Sequence, residues 1–233
     1  MNIQSVGQLV FECLVGKRVE VERAEEQVSS DAGLVPIREF DRRLVWTEGF
    51  AAQIQDGRCG GTHTILEMVR QRVFGILAGY EDQNDHDTLR SDGVFKLIAG
   101  RSPDGLDLAS QPTLSRLENA VTAADLLRLE EWFLAQFIGS FDAPPVELTL
   151  DIDVYDDPTH GAQQLTFFHG FYEQYQYLVR VITCAENDLV VFPVLLHGTA
   201  HPALGVSQDV ERVVARLRAV WPDVRIRVRA DSG

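Results

Sequence analysis

The sequence predicts an α/β (α+β) fold, with a helical N-terminal region followed by a mixed β-sheet. Three observations carry this. From Val35 to about Ile138, apolar residues recur at helical spacing. Asp142-Ala143-Pro144-Pro145 then ends that pattern, because paired prolines break a helix and favour extended chain. Beyond them the segments are short, β-branched and bounded by turn residues. A chain of 233 residues has room for one large domain or two small ones around a real core. The expected parts are an N-terminal arm (1–33), a helical region (34–143) and a sheet region (144–233).

Within the arm, Gln8–Val15 and Lys17–Val21 read as short strands or a packed arm, and Glu20–Asp31 as an acidic, exposed stretch. The first helix starts near Val35, with Pro36 in its first turn and Ile37, Phe40 and Leu44 on one face. A stronger helix runs from about Thr62, as N-cap, to Leu77. Leu66, Val69, Val73 and Ile76 form its expected buried stripe, with Arg70 and Arg72 off it and Gly79 as the stop. Shorter helices are expected near 87–89, 95–98 and 112–120. A long one spans about Ala123–Ile138, with Leu126, Leu129, Phe133 and Phe137 inward.

After the prolines, Val146–Asp153, Tyr175–Thr183 and Leu189–Leu196 read as strands, the last two joined by a turn at Ala185-Glu186-Asn187-Asp188. Ser207–Val220 is helical with Val210, Val213, Val214 and Leu217 inward, and Trp221-Pro222-Asp223 stops it. Val224–Arg229 then alternates, with Val224, Ile226 and Val228 on one face and Arg225, Arg227 and Arg229 on the other. The order strand, strand, strand, helix, strand is the opening of a ribonuclease H-like fold, hence the first half of its mixed sheet. In that arrangement the first and fourth strands lie side by side, which brings Asp153 and Asp231 to neighbouring strand ends.

The formal charge of −14 taken alone argues against a nucleic-acid partner. Clustering qualifies it: 19 of the 21 basic residues are Arg, and six fall between Arg212 and Arg229. Cys13, Cys59 and Cys184 have no CxxC spacing and read as free thiols of a reducing cytosol. No secretory signal opens the chain and no apolar run is long enough to span a bilayer, so no membrane partner is expected.

Two carboxylates at adjacent strand ends suit phosphodiester chemistry. Mg²⁺ takes hard oxygen ligands, and such a site needs little besides two or three acids. The plain alternative is that Asp153 and Asp231 are turn acids after strands. Asp151 and Asp157 are rival ligands, Asp151 ranking higher because it shares the side of the strand on which Asp153 lies.

Four segments carry a resemblance: Ala78-Gly79 followed by Tyr80-Glu81-Asp82-Gln83-Asn84-Asp85-His86-Asp87; Leu108-Ala109-Ser110-Gln111-Pro112-Thr113-Leu114-Ser115-Arg116-Leu117-Glu118-Asn119; Asp156-Asp157-Pro158-Thr159-His160-Gly161; and Arg229-Ala230-Asp231-Ser232-Gly233. Together, over about residues 30–233, they resemble bacterial insertion-sequence transposases of the DDE class. The resemblance implies a ribonuclease H-like catalytic domain that cuts and joins transposon DNA ends with Mg²⁺, or Mn²⁺ in its place. It maps the first two catalytic, metal-binding acids onto Asp153 and Asp231. The third, a Glu on a later helix, is expected beyond residue 233, so the chain reads as the N-terminal portion of the enzyme and as inactive in cutting by itself. Tyr155 departs from the family, which tends to carry a small hydroxyl residue there. Implied partners are double-stranded DNA, both transposon ends and target, and further copies of the chain in a synaptic complex. The implied place is the bacterial cytoplasm, at the nucleoid.

The helix near 112–120 is a candidate DNA contact. Ser110 is its expected cap, Gln111, Thr113, Ser115 and Arg116 offer donors, and N–H groups at such a start bind phosphate. The alternative is a packed helix with Arg116 paired to Glu118 or Asp125. Arg225, Arg227 and Arg229 either flank a DNA channel, with Arg227 and Arg229 touching it, or pair with neighbouring acids. The acidic run Glu81–Asp87 lacks the glycine of a calcium loop and reads as helix capping. His160, His197 and His201 lack zinc-site spacing, although His160 in the turn after Asp153 can approach a substrate phosphate. Two other functions fit the same residues: a catalytically dead DNA-binding remnant of a transposase, and a ribonuclease H-like nuclease outside transposition.

Overall fold

The computed structural model describes residues 9–14, 17–21, 29–58, 60–159 and 166–230. The chain divides into two compact units, Met1–Leu126 and Leu127–Gly233. Among the described residues it is an α/β fold, helical first and then a five-stranded mixed sheet.

The first unit opens with an antiparallel pair, β1 (Leu9–Leu14) and β2 (Lys17–Val21). Helices follow: α1 (Leu34–Leu44), α2 (Trp46–Ala51), α3 (Ile65–Leu77), α4 (His86–Leu89), α5 (Gly93–Ala99) and α6 (Gln111–Ala120). The helix α7 (Ala123–Gly139) begins in this unit and runs into the next. Leu34, Val35, Phe74, Leu89, Phe95 and Ile98 form the main core here, and Met68, Ala109 and Leu114 a smaller one. Each such side chain contributes roughly 1.5–3 kcal/mol by leaving water.

Three expectations about this unit are corrected. The cap of α3 is Thr64, not Thr62: its hydroxyl accepts the Glu67 N–H while the Glu67 carboxylate accepts the Thr64 N–H, a reciprocal box that Thr62 has no glutamate in register to make. The buried side of α3 is rotated, so that Met68, Val69, Gln71 and Phe74 are inside and Ile76 is 50% exposed. More unexpectedly, α1 turns its polar side inward. Ile37, Phe40 and Leu44 are exposed, while Arg38, Glu39 and Asp41 are buried. The inversion is possible because the charges are matched. Arg38 donates to the Ile98 carbonyl (3.0 Å) and to Asp41 (3.2 Å). Asp41 also accepts from the Thr47 N–H and hydroxyl, and Arg70 reaches Thr47 and Glu48. Glu39 is held down to about 2 by its hydrogen bonds with Arg42, in the first place, and Arg43, against the opposing effect of burial.

The second unit holds the rest of α7, then β3 (Glu147–Pro158), β4 (Phe167–His169), β5 (Gln174–Cys184), β6 (Leu189–His197), α8 (Val206–Val220) and β7 (Arg225–Ala230). β5 is antiparallel to β3 on one edge and to β6 and β4 on the other, and β7 joins β3 in parallel. The helix α8 is the crossover that a parallel neighbour requires. One face of the sheet packs Leu148, Leu150, Ile152, Ile182 and Phe192 against Leu134 and Phe137 of α7 and Val213 and Leu217 of α8. Arg212–Glu130 and Arg216–Glu131 pairs tie α8 to α7. Arg180, fully buried, donates through its two terminal nitrogens to the Pro202 and Leu204 carbonyls and to Asp209 in the first turn of α8, while its Nε has no partner among the described residues. Cys184 is a buried free thiol, pushed up to about 11 chiefly by that burial. Cys59 and the side chain of Cys13 lie outside the described residues. No helix among the described residues is long and apolar enough to cross a membrane.

Candidate active site

Alternation along Glu147-Leu148-Thr149-Leu150-Asp151-Ile152-Asp153 decides which side chains meet the core. Leu148, Leu150 and Ile152 face it, and Thr149, Asp151 and Asp153 stand half-buried on the other side. Across the parallel pair, Glu147, Thr149 and Asp151 are in register with Arg225, Arg227 and Arg229. The last registered pair is Ile152 with Ala230. In sequence each is followed by an aspartate, Asp153 and Asp231; Asp231 lies outside the described residues.

The two acids on β3 differ in their partners. Asp151 takes a forked hydrogen bond from Arg229, Nε to Oδ1 and Nη2 to Oδ2, both 2.6 Å. That guanidinium holds the Asp151 carboxyl below its ordinary value and is itself raised in return. Asp153 makes no ion pair or side-chain hydrogen bond among the described residues, leaving its oxygens available. Asp151, Ile152, Asp153, Val228, Arg229 and Ala230 line an open hollow of about 600 Å³ at this end of the β3–β7 pair.

An all-carboxylate donor set with no imidazole or thiolate suits a hard cation such as Mg²⁺. Among the described residues, no three His, Cys, Asp or Glu side chains come together as a metal cluster. The donors that fit are Asp153 and, by its place in the sequence after Ala230, Asp231. His197 bonds to Thr199 and His201 accepts the Ala203 N–H; His160 lies outside the described residues.

The basic ladder on β7 pairs with the neighbouring acids: Arg225 and Arg227 with Glu147 (3.5 and 3.1 Å) and Arg229 with Asp151. All three guanidinium groups are largely exposed, so solvent screens the pairs.

The candidate DNA-contacting residues Gln111, Thr113, Ser115 and Arg116 sit on α6. Ser110 is the N-cap residue of the helix as expected, but its side chain makes no capping bond; its hydroxyl meets that of Thr113 at 3.1 Å. The Gln111 N–H is instead taken by Asp87 (3.0 Å), so an acid from α4 occupies the position expected for a phosphate. Arg116 is exposed, bonds to Thr113 (3.2 Å), and pairs with no carboxylate among the described residues. Glu118 is bound to Arg72, and Asp125 to the Gln55 N–H and to Thr122. The acidic run before α4 does cap: Asp82 accepts the Asn84 N–H.

Sequence reasoning did not find the Asp151–Arg229 fork, which depends on strand register, or the strand β4. The signal for the latter was present in the aromatic run Phe167-Phe168-His169-Gly170-Phe171-Tyr172.

No curated protein and no solved structure matches the chain. The family described as Transposase DDE domain group 1 matches residues 11–233. With that match over nearly its full length, the chain belongs to the transposase DDE domain family.

Proposed function

We propose that this chain provides the first two catalytic carboxylates, Asp153 and Asp231, of a bacterial insertion-sequence transposase with a ribonuclease H-like catalytic domain. The observation that carries the reading is the parallel β3–β7 pair, whose last registered residues, Ile152 and Ala230, each precede an aspartate in sequence. The strand order β6-β5-β3-β7, antiparallel except for the last, also accords with a ribonuclease H-like sheet.

In this reading Asp153 and Asp231 would hold Mg²⁺, or Mn²⁺ in its place. When bound, the cation supplies charge neutralisation at the scissile phosphate and an activated water. Asp153 lines the hollow and has no partner among the described residues, and Arg229 keeps Asp151 out of the ligand set. The reaction is cutting at transposon ends followed by joining to target DNA. The resemblance assigns a third acid, a Glu on a later helix, to complete the set. The region 34–143 contacts the ends through the outer side of α6, where Arg116 and Ser115 lie. Residues 144–233 are the catalytic part and 1–33 an arm. The working assembly is a homo-oligomer on double-stranded DNA in the cytoplasm, at the nucleoid.

The test is Mn²⁺ binding followed by electron paramagnetic resonance. Asp153→Asn and Asp231→Asn each weaken binding about tenfold or more, with circular dichroism unchanged. Parent-like binding by both variants overturns the assignment.

A further inference from the structure

We propose that Arg229 grips the DNA backbone at the Asp153 hollow through the free edge of its guanidinium group, and that Asp151 is the positioning residue that holds the group in place; the proposal rests on the transposase reading above. A guanidinium is planar and carries five N–H donors, enough for two forks. Asp151 occupies one of them: Nε donates to Oδ1 and Nη2 to Oδ2, both at 2.6 Å. This is the side edge of the group. Nη1 and the second N–H of Nη2 form the end edge, which has no partner among the described residues. The two side chains are unequally sunk, Asp151 being 26% exposed and Arg229 64%. The carboxylate thus sits against the sheet, and the guanidinium stands out beyond it with its plane set by two bonds. A pair so exposed adds little to stability. What it fixes is the direction of the free edge.

The place of that edge selects its ligand. Arg229 and Asp153 line the same open hollow. Asp153 lies on the same side of β3 as Asp151, two residues or about 7 Å further along. The end edge offers two donors side by side, which match two oxygens on one phosphorus. A phosphodiester is an anion, and beside these carboxylates it needs a cation to stay. The ladder continues behind Arg229 on the same side of β7. Arg225 and Arg227 share the one carboxylate of Glu147, at 3.5 and 3.1 Å. The row therefore sets three guanidinium groups against two carboxylates, spaced about 7 Å apart along the strand and leading to the hollow. A polyanion with regularly spaced charges, such as one DNA strand, engages the whole row. A single carboxylate ligand engages one member of it.

The experiment measures binding of the full chain to a fluorescein-labelled DNA duplex by fluorescence anisotropy, in EDTA and over a series of salt concentrations. Arg229→Gln is expected to weaken binding about tenfold and to lower the slope of log affinity against log salt by about one, the loss of one phosphate contact. Arg229→Lys keeps the charge and the slope but loses the fork, and weakens binding about fivefold. The role of Asp151 is read from a double-mutant cycle. In an Asp151→Asn background the guanidinium is no longer held in its plane, so Arg229→Lys then changes binding by less than about twofold. If Asp151 only competes with DNA for Arg229, its removal enlarges the effect of Arg229→Lys, and the positioning role is overturned. A folded Arg229→Gln variant with parent-like affinity and slope overturns the grip itself and leaves a plain surface ion pair. An Arg229→Lys variant that binds like the parent overturns the fork. Metal is absent from these titrations. The Mn²⁺ titrations of Asp153→Asn and Asp231→Asn test the transposase reading separately, so the two can fail independently.

Discussion

Asp151 and Arg229 face each other across the parallel β3–β7 pair and share two 2.6 Å hydrogen bonds. The pair gives one of the two candidate carboxylates on β3 a partner that a cation would have to displace. Asp153, two residues on and on the same side of the strand, keeps its oxygens available among the described residues. Asp151→Asn is therefore expected to leave Mn²⁺ affinity within about twofold of the parent, against the tenfold or greater loss expected for Asp153→Asn. Equal losses in the two variants, measured in the same titration, would show that Asp151 is a ligand and Arg229 only its resting partner.

The buried charges of the helical unit give a second prediction. Asp41 is the one carboxylate buried between Arg38 and Arg70, 3.2 Å from the first and 4.0 Å from the second. Asp41→Asn leaves the buried Arg38 guanidinium without its counter-charge, and Arg70 with only the part-exposed Glu48. Removing one partner of such a cluster costs about 3–5 kcal/mol. Replacing all three residues by Leu or Met of similar volume should cost less than the single change, because no ion is then left stranded. Urea unfolding of both variants decides the matter; a single substitution that proves cheaper than the triple one refutes it.

Gly198 supplies a steric prediction. A Cβ there would sit 2.0 Å from the Gln176 carbonyl oxygen and 2.8 Å from that of Phe167. Both are backbone atoms of paired strands, so neither can swing aside as a side-chain tip would. Gly198→Ala should cost about 3 kcal/mol, at the upper end of the range for overpacking, by forcing β4 and the end of β6 apart. A melting temperature within a degree or two of the parent would contradict this.

Much of the sheet was legible because burial there follows a period of two, which sequence records directly. Leu148, Leu150 and Ile152 announce one face and Thr149, Asp151 and Asp153 the other, and the helix over 207–220 shows its buried Val213 and Leu217. The strand expected to end at Asp153 continues to Pro158 because β5 pairs with it that far, overriding the turn character of Asp156-Asp157-Pro158. β4 has only three residues, too short for periodicity, and exists through its pairing with β5. The α1 error has a different origin. Apolar spacing pointed Ile37, Phe40 and Leu44 inward, but hydrogen-bonding partners from α2 (Thr47) and α5 (the Ile98 carbonyl) and the Arg70 charge from α3 let Arg38 and Asp41 take the interior. For the site, residue types and positions were readable, whereas the split between a paired Asp151 and an available Asp153 required the β3–β7 register. Leu126, expected inward on α7, is 52% exposed; the first turn of that helix buries Asp125 instead, which accepts the Gln55 N–H.

His86 makes the helical unit sensitive to acid. It is fully buried, with Arg72 Nη1 3.2 Å from Nε2, the nitrogen that accepts in the neutral ring, and Gln71 Nε2 3.5 Å from Nδ1, so a proton added at Nε2 would face the Arg72 cation instead of an acceptor. Burial, and next the Arg72 charge, lower its pKa from the ordinary 6.5 to about 4. The unfolded chain takes up a proton near 6.5 and the folded one only near 4, so the unfolded state binds more protons in between. Stability is thus complete above about 6.5, falls as the pH drops towards 4, and levels off below. The loss totals roughly 3 kcal/mol at 1.36 kcal/mol per unit. His86→Gln should remove that slope whatever its effect at neutral pH. Urea unfolding free energies at pH 7 and pH 5, for parent and variant, test this directly: the same slope in both would clear His86 and place the acid sensitivity elsewhere.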